Sequence, residues 1–153
     1  MKHVENSTLN EDDIVRILDN IPLNVIVTDI NGKILWCNQT ACDFTGYKQK
    51  ELKGENPRIL KCENTEPKIY KEMWETIAVK KEIWTGIITS KKKNGELYEE
   101  ELRIIPIFDK EGNINKFIGI QRDVTELDKL RKREKVKDAI KKAVEKIEKI
   151  NNR

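Results

Sequence analysis

The sequence predicts an α+β fold, an antiparallel sheet with helices between its strands and at both ends of the chain. Three observations predict it. Strand-like segments are separated by tight turns at Asn31-Gly32, Asn94-Gly95 and Glu111-Gly112. Between the first two strands and the last three lies a stretch of short helical pieces followed by one longer helix. Near the C-terminus, Ile118-Gly119-Ile120-Gln121-Arg122-Asp123-Val124-Thr125-Glu126 reads as a strand that runs straight into a charged helix. Such a junction suits a sensor, because a disturbance of the sheet can travel along a stiff rod to something outside the domain.

The elements follow in order. Asn10-Glu11-Asp12-Asp13 supplies a cap and an acidic first turn for a helix carrying Ile14, Val15, Ile17 and Leu18, which Pro22 closes. Residues 23–28 form the first strand, and residues 33–37 its hairpin partner. From 38 to 60 the helical pieces break at Gly46, Gly54 and Pro57, and broken turns beside a sheet leave room for a ligand. Thr65-Glu66-Pro67 opens the longer helix with Pro in the first turn, where its missing N–H costs little. Ile69, Tyr70, Met73, Trp74 and Ile77 fall on one face of it. Strands over 82–90, 96–108 and 114–122 then form a meander, although the alternation around Glu99-Glu100-Glu101-Leu102 is only approximate. Asp123 or Thr125 caps the exit helix, and Leu127, Leu130, Val136, Ile140 and Ile147 form its apolar side.

Composition limits what this frame can do. At 153 residues the chain holds a flexible tail (1–9), one domain with its flanking helix (10–123) and a C-terminal helix (124–153). Charge is nearly balanced, with 30 basic and 27 acidic residues, but from Glu126 onward 11 basic residues face 6 acidic ones. A uniform nucleic-acid-binding face is therefore not expected, and the basic tail reads first as a solvated helix. No apolar run is long enough to cross a bilayer, and no signal-peptide core is present. Cys37, Cys42 and Cys62 are odd in number and lack Cys-x-x-Cys spacing, which fits neither a disulfide framework nor a zinc site. A reducing cytoplasm is the expected setting.

No enzyme is expected. The sole histidine, His3, lies in the N-terminal tail, so there is no Ser/His/Asp set and no imidazole for a heme iron. Met73 sits on the apolar helix face, where methionine is a packing residue. No Gly-rich phosphate loop follows a strand. Consecutive Glu99, Glu100 and Glu101 alternate faces in a strand and do not pair for acid–base work. Lys91-Lys92-Lys93 reads as an exposed hairpin tip.

Several words in this order resemble the PAS sensory family: Ile34-Leu35-Trp36-Cys37-Asn38-Gln39-Thr40-Ala41 with Phe44-Thr45-Gly46-Tyr47; Gly54-Glu55-Asn56-Pro57-Arg58-Ile59-Leu60; Met73-Trp74; Ile83-Trp84-Thr85-Gly86; and Gly119-Ile120-Gln121-Arg122-Asp123-Val124-Thr125-Glu126. They span residues 13–126. The resemblance implies a five-stranded antiparallel sheet with helices over one face, a ligand site between them, dimerisation, and control of a kinase, cyclase or other regulator. The light-oxygen-voltage branch has Asn-Cys-Arg where this chain has Asn56-Pro57-Arg58, so the thiol needed for its flavin adduct is missing. The two asparagines that hold the flavin ring edge in that branch fall at Ser90 and Glu100. Asn56 and Arg58 remain at the lip, where the arginine can pair with a phosphate or, alternatively, brace the turn. Gln121 matches a flavin-bonding glutamine, or is simply a polar residue of an inner strand. The redox-sensing branch that holds flavin adenine dinucleotide is nearer, with Trp84 stacking on the ring and Glu101 accepting a hydrogen bond. The resemblance thus implies FAD or FMN held by Asn56, Arg58, Trp84, Ser90, Glu101 and Gln121, with a ligand-free docking domain as the alternative.

In the tail, Arg133, Val136, Ile140, Ala143, Ile147 and Ile150 alternate spacings of three and four, as coiled-coil a and d positions do, over a run of under three heptads. Leu127 and Leu130 sit one residue out of that register. Homodimerisation through this helix or the N-terminal one is expected. With no output domain after Arg153, the chain is expected to be a fragment of a longer sensor or to dock on a separate partner.

Overall fold

A computed structural model describes residues 8–152. The expected loose tail lies, for residues 1–7 and so for His3, outside the described residues. The chain divides into two compact units between Asp123 and Val124.

The first unit opens with helix α1 (Glu11–Asn20), whose capping box is reciprocal: Asn10 accepts from the Asp13 N–H and Asp13 accepts from the Asn10 N–H. Strands β1 (Asn24–Asp29) and β2 (Ile34–Cys37) form the hairpin. Asp29 Oδ1 holds its turn by accepting from the N–H groups of Asn31 and Lys33, while Gly32 takes the left-handed φ of 84° that the turn demands. Helices α2 (Gln39–Thr45) and α3 (Gln49–Leu52) and a 3-10 turn (Pro57–Leu60) follow. Helix α4 (Pro67–Trp74) carries Pro67 in its first turn and continues into a π turn (Glu75–Val79). Strands β3 (Trp84–Lys91), β4 (Leu97–Phe108) and β5 (Ile114–Asp123) complete the unit as a meander.

The five strands lie in the order β2-β1-β5-β4-β3, each pair antiparallel. The last strand is therefore central and pairs with the first along its whole length, Asn24 opposite Gln121 and Asp29 opposite Lys116. Helices α2 to α4 form the crossover between β2 and β3. Burial divides into two apolar clusters. One joins Ile26, Ile34 and Cys37 of the sheet to Ala41, Cys42, Leu52 and Leu60; the other joins Trp84, Ile88, Leu102 and Phe117 to Met73 and Ile77.

One polar side chain ties the first cluster together. Asn38 is fully buried; its Oδ1 accepts from Val25 N–H and from Ala41 N–H, and its Nδ2 donates to the carbonyls of Leu18 and Leu23. It caps α2 while fastening that helix to β1 and to the end of α1. The cysteines are all free and buried. Cys37 and Cys42 are 3.5 Å apart, and burial, with the Cys42 contact, pushes the Cys37 thiol up to about 12.

The second unit is α5 (Thr125–Asn151). Its cap position falls on Val124, between the two residues expected to cap it. The ion pairs Glu126–Lys129, Asp128–Lys132 and Glu134–Lys137 run along it. Leu127, Leu130, Val136, Ile140, Ile147 and Ile150 are all exposed. No helix of the described residues is long and apolar enough to cross a membrane.

Candidate functional site

A cavity of about 500 Å³ lies between the inner face of the sheet and α4 with its π turn. Strand alternation decides which side chains reach it. On β4 the even-numbered residues face inward, so Glu100, Leu102 and Ile104 line the cavity; on β5 Phe117, Gly119 and Gln121 do. Ile26 and Thr28 of β1 and Ile88 and Ser90 of β3 complete the floor. Gly119 leaves the floor bare between Ile26 and Leu102, since a Cβ there would sit 3.7 Å from each. Tyr70, Met73, Trp74 and Ile77 form the helical wall, with Trp74 half exposed and tilted against Phe117 at a ring distance of 5.8 Å. Both apolar clusters thus border the space, and neither fills it.

The lip is built by the 3-10 turn and the β1–β2 turn. Asn56 Oδ1 accepts from Arg58 N–H, and the Gly54 and Ile34 amides bond across to Ile34 and Glu55 carbonyls. Arg58 is exposed and lies in no ion pair among the described residues. Lys61 bridges to Ser90 and holds its ammonium 4.7 Å above the Tyr70 ring. Cations therefore sit at the mouth and none at the floor.

The floor is polar at one point. Glu100 is 2% exposed, and its Oε1 accepts the Ser90 hydroxyl proton at 2.9 Å. Among the described residues its Oε2, the Oε1 of buried Gln121 and the Tyr98 hydroxyl have no hydrogen-bond partner. Burial, assisted by the Asp123 carboxylate, lifts the Glu100 carboxyl to about 7 against the opposing pull of the Ser90 bond. Tyr70 is also raised, first by burial.

Of the six residues picked from the sequence, Asn56, Arg58, Ser90 and Gln121 come together around this cavity, and two do not. Glu101 points from the opposite face of β4, where it pairs with Arg122 at 3.4 Å. The inward place belongs to its neighbour Glu100. Trp84 is buried in the second apolar cluster and does not line the cavity. Its indole lies over Gly86, so close that a Cβ on that glycine would come within 2.5 Å of it. Pro57 stands at the lip, and none of the three cysteines lines the cavity. Away from the site, Lys91, Lys92 and Lys93 are engaged with Glu63, Glu96 and Glu51.

Comparison with known proteins places this geometry. A family model described as a PAS domain matches residues 22–126. A nitrogen fixation regulatory protein of Klebsiella oxytoca is 28% identical over 109 residues, which is 71% of this chain and 22% of that protein. A blue-light-activated histidine kinase of Brucella canis is 34% identical over 106 residues, 69% of this chain and 22% of that protein. The chain therefore spans about a fifth of the length of these regulators. The light-oxygen-voltage domain of a blue-light activated histidine kinase of Erythrobacter litoralis superposes with a TM-score of 0.63 at 25% identity, covering 69% of this chain and 98% of that domain.

Proposed function

Because the chain belongs to the PAS domain family, we propose that it is the sensor module of a signalling protein, binding a small molecule between sheet and α4. One observation carries this. Buried Glu100 and Gln121 set polar side chains among the apolar residues that line a cavity of about 500 Å³. A buried polar group without a hydrogen bond costs about 1–3 kcal/mol, and a ligand in the cavity supplies bonds to such groups. The cavity also falls within the range of small-molecule sites, roughly 300–1,000 Å³.

Flavin, as FAD or FMN, is the most specific candidate. Its planar ring suits the slot between the aliphatic floor and the aromatic wall, its polar edge suits Ser90, Glu100 and Gln121, and a phosphate suits Asn56 and Arg58 at the mouth. Trp84 and Glu101 have no part in this arrangement. The flavin is a ligand sensed or read by the module, which is not itself an enzyme.

Output passes through α5. Its exposed apolar stripe supports homodimerisation, and the lengths of the regulatory relatives support an output kinase, cyclase or other regulator in cis or trans. The same stripe, with exposed Ile14, Val15 and Ile17 on α1, favours a second reading as a ligand-free dimerisation and docking domain.

An absorption spectrum of the purified protein, with identification of anything released on denaturation, separates the two. A flavin spectrum with released nucleotide is expected. A colourless protein that takes up no added flavin overturns the flavin assignment and turns attention to the docking surfaces.

A further inference from the structure

Two thiols separated by four residues in the chain meet in the fold. Cys37 closes β2 and Cys42 lies in α2, and their sulfurs are 3.5 Å apart. The backbone on either side is held. Cys37 pairs with Ile26 across the hairpin, and its carbonyl accepts from Gln49 Nε2 at 2.6 Å. The Cys42 N–H donates to the Asn38 carbonyl, and the Cys42 carbonyl accepts from the Gly46 N–H. The β2–α2 corner therefore fixes the contact. A disulfide needs its sulfurs about 2 Å apart, so the pair has to close by roughly 1.5 Å, within reach of small χ1 rotations.

The third cysteine shows what the pair adds. Cys62 is buried to the same degree as Cys42, 5% against 6% exposed, but takes no part in the sulfur contact. Cys37 is the most enclosed of the three at 1% exposed, and burial keeps its thiol protonated. Cys42 is thus the sulfur of the pair that a small oxidant reaches first, with Cys37 behind it as the resolving thiol.

We propose that Cys37 and Cys42 form an oxidation site, closed to a disulfide by hydroperoxides and reopened by dithiol reductants. Hydrogen peroxide converts the Cys42 thiol to a sulfenic acid with release of water. The Cys37 sulfur then displaces the hydroxyl group, and the Cys37 proton leaves with it as a second water. The two thiols lose two electrons in all, and the peroxide O–O bond takes them up as it breaks. A dithiol returns the electrons and protons and becomes a disulfide itself. The closed ring contains Asn38, which fastens α2 to β1 and to the end of α1. Cys37 also packs with Ile26 and Leu60, which line the cavity. Oxidation therefore acts on the frame of the cavity without using its ligand.

Treatment of the folded, reduced protein with millimolar hydrogen peroxide, followed by alkylation in urea, tests this by mass spectrometry. A loss of two hydrogens is expected within the tryptic peptide 34–48, which holds both Cys37 and Cys42, while Cys62 is recovered as the alkylated thiol. Dithiothreitol is expected to restore all three thiols. Cys37→Ser removes the resolving sulfur, so dimedone is expected to trap the Cys42 sulfenic acid about tenfold more than in the unaltered protein. Cys42→Ser is expected to form no disulfide while folded. Should either variant not fold, mapping of the unaltered protein still decides. A disulfide that forms only after unfolding in urea, oxidation of Cys62 as fast as the pair, or recovery of all three thiols from the folded protein overturns the inference and returns both sulfurs to packing. None of these results bears on the sensor reading, which the absorption spectrum tests separately.

Discussion

Ser90 reaches across from β3 to hydrogen-bond Glu100 at 2.9 Å, and this is the carboxyl's one bond from a side chain among the described residues. A single neutral donor does not offset burial, so the folded state holds this proton to about pH 7 although the ordinary value is 4.5. Between these two values the folded protein binds more protons than the unfolded chain. This contribution to stability is therefore complete below about pH 4.5 and is lost as pH rises to about 7. The difference is on the order of 3 kcal/mol. Glu100→Gln is expected to remove this slope. Urea unfolding at pH 5 and pH 7.5 should show the variant gaining relative to the unaltered protein at the higher pH, by up to that amount; parallel curves would refute the burial argument.

The same pair shows where sequence reasoning reaches and where it stops. Strand limits and turns were legible because Asn31-Gly32, Asn94-Gly95 and Glu111-Gly112 encode backbone angles locally; Gly32, Gly95 and Gly112 all adopt left-handed φ. The inward carboxylate was not, because three consecutive glutamates carry no contrast by which to choose a face. Counting back in twos from Leu102 would have selected Glu100. Trp84 was assigned to ring stacking from the resemblance to the branch that holds flavin adenine dinucleotide, yet its indole lies over Gly86, two residues on along the same strand. The π turn over Glu75–Val79 left no mark in a helical pattern that continues to Ile77.

Glu101 supplies a direct check of that correction. Its partner Arg122 is exposed, and both side chains lie on the outer face of the sheet. Exposed pairs of this kind contribute roughly 0–1 kcal/mol. Glu101→Gln is expected to change stability by less than about 1 kcal/mol and to leave cavity binding of riboflavin unaltered. A variant that loses ligand affinity while remaining folded would return Glu101 to the site.

Asn38 is the buried polar group whose loss should cost most. Alanine there removes two acceptor and two donor bonds, leaving the Val25 and Ala41 amides and the Leu18 and Leu23 carbonyls without that side chain. Asn38→Ala is expected to destabilise by on the order of 3 kcal/mol in chemical denaturation. Asn38→Asp should be no better at neutral pH, because it turns an acceptor toward the two carbonyls. A loss below about 1 kcal/mol for alanine would mean that water replaces the side chain.

The exposed stripe of α5 predicts self-association. Val136, Ile140 and Ile147 are each more than half exposed along a helix of 27 residues, roughly 40 Å long. An isolated helix with this charge density is marginal, and pairing of stripes is the direct way to stabilise it. Sedimentation equilibrium is expected to give a dimer for the unaltered chain and a monomer for the triple variant Val136→Glu, Ile140→Glu, Ile147→Glu. The thermal transition of the sheet unit should persist in that variant, since all three positions lie beyond Asp123. A triple variant that remains dimeric would move the association surface off this helix, with the exposed Ile14, Val15 and Ile17 of α1 next to be altered.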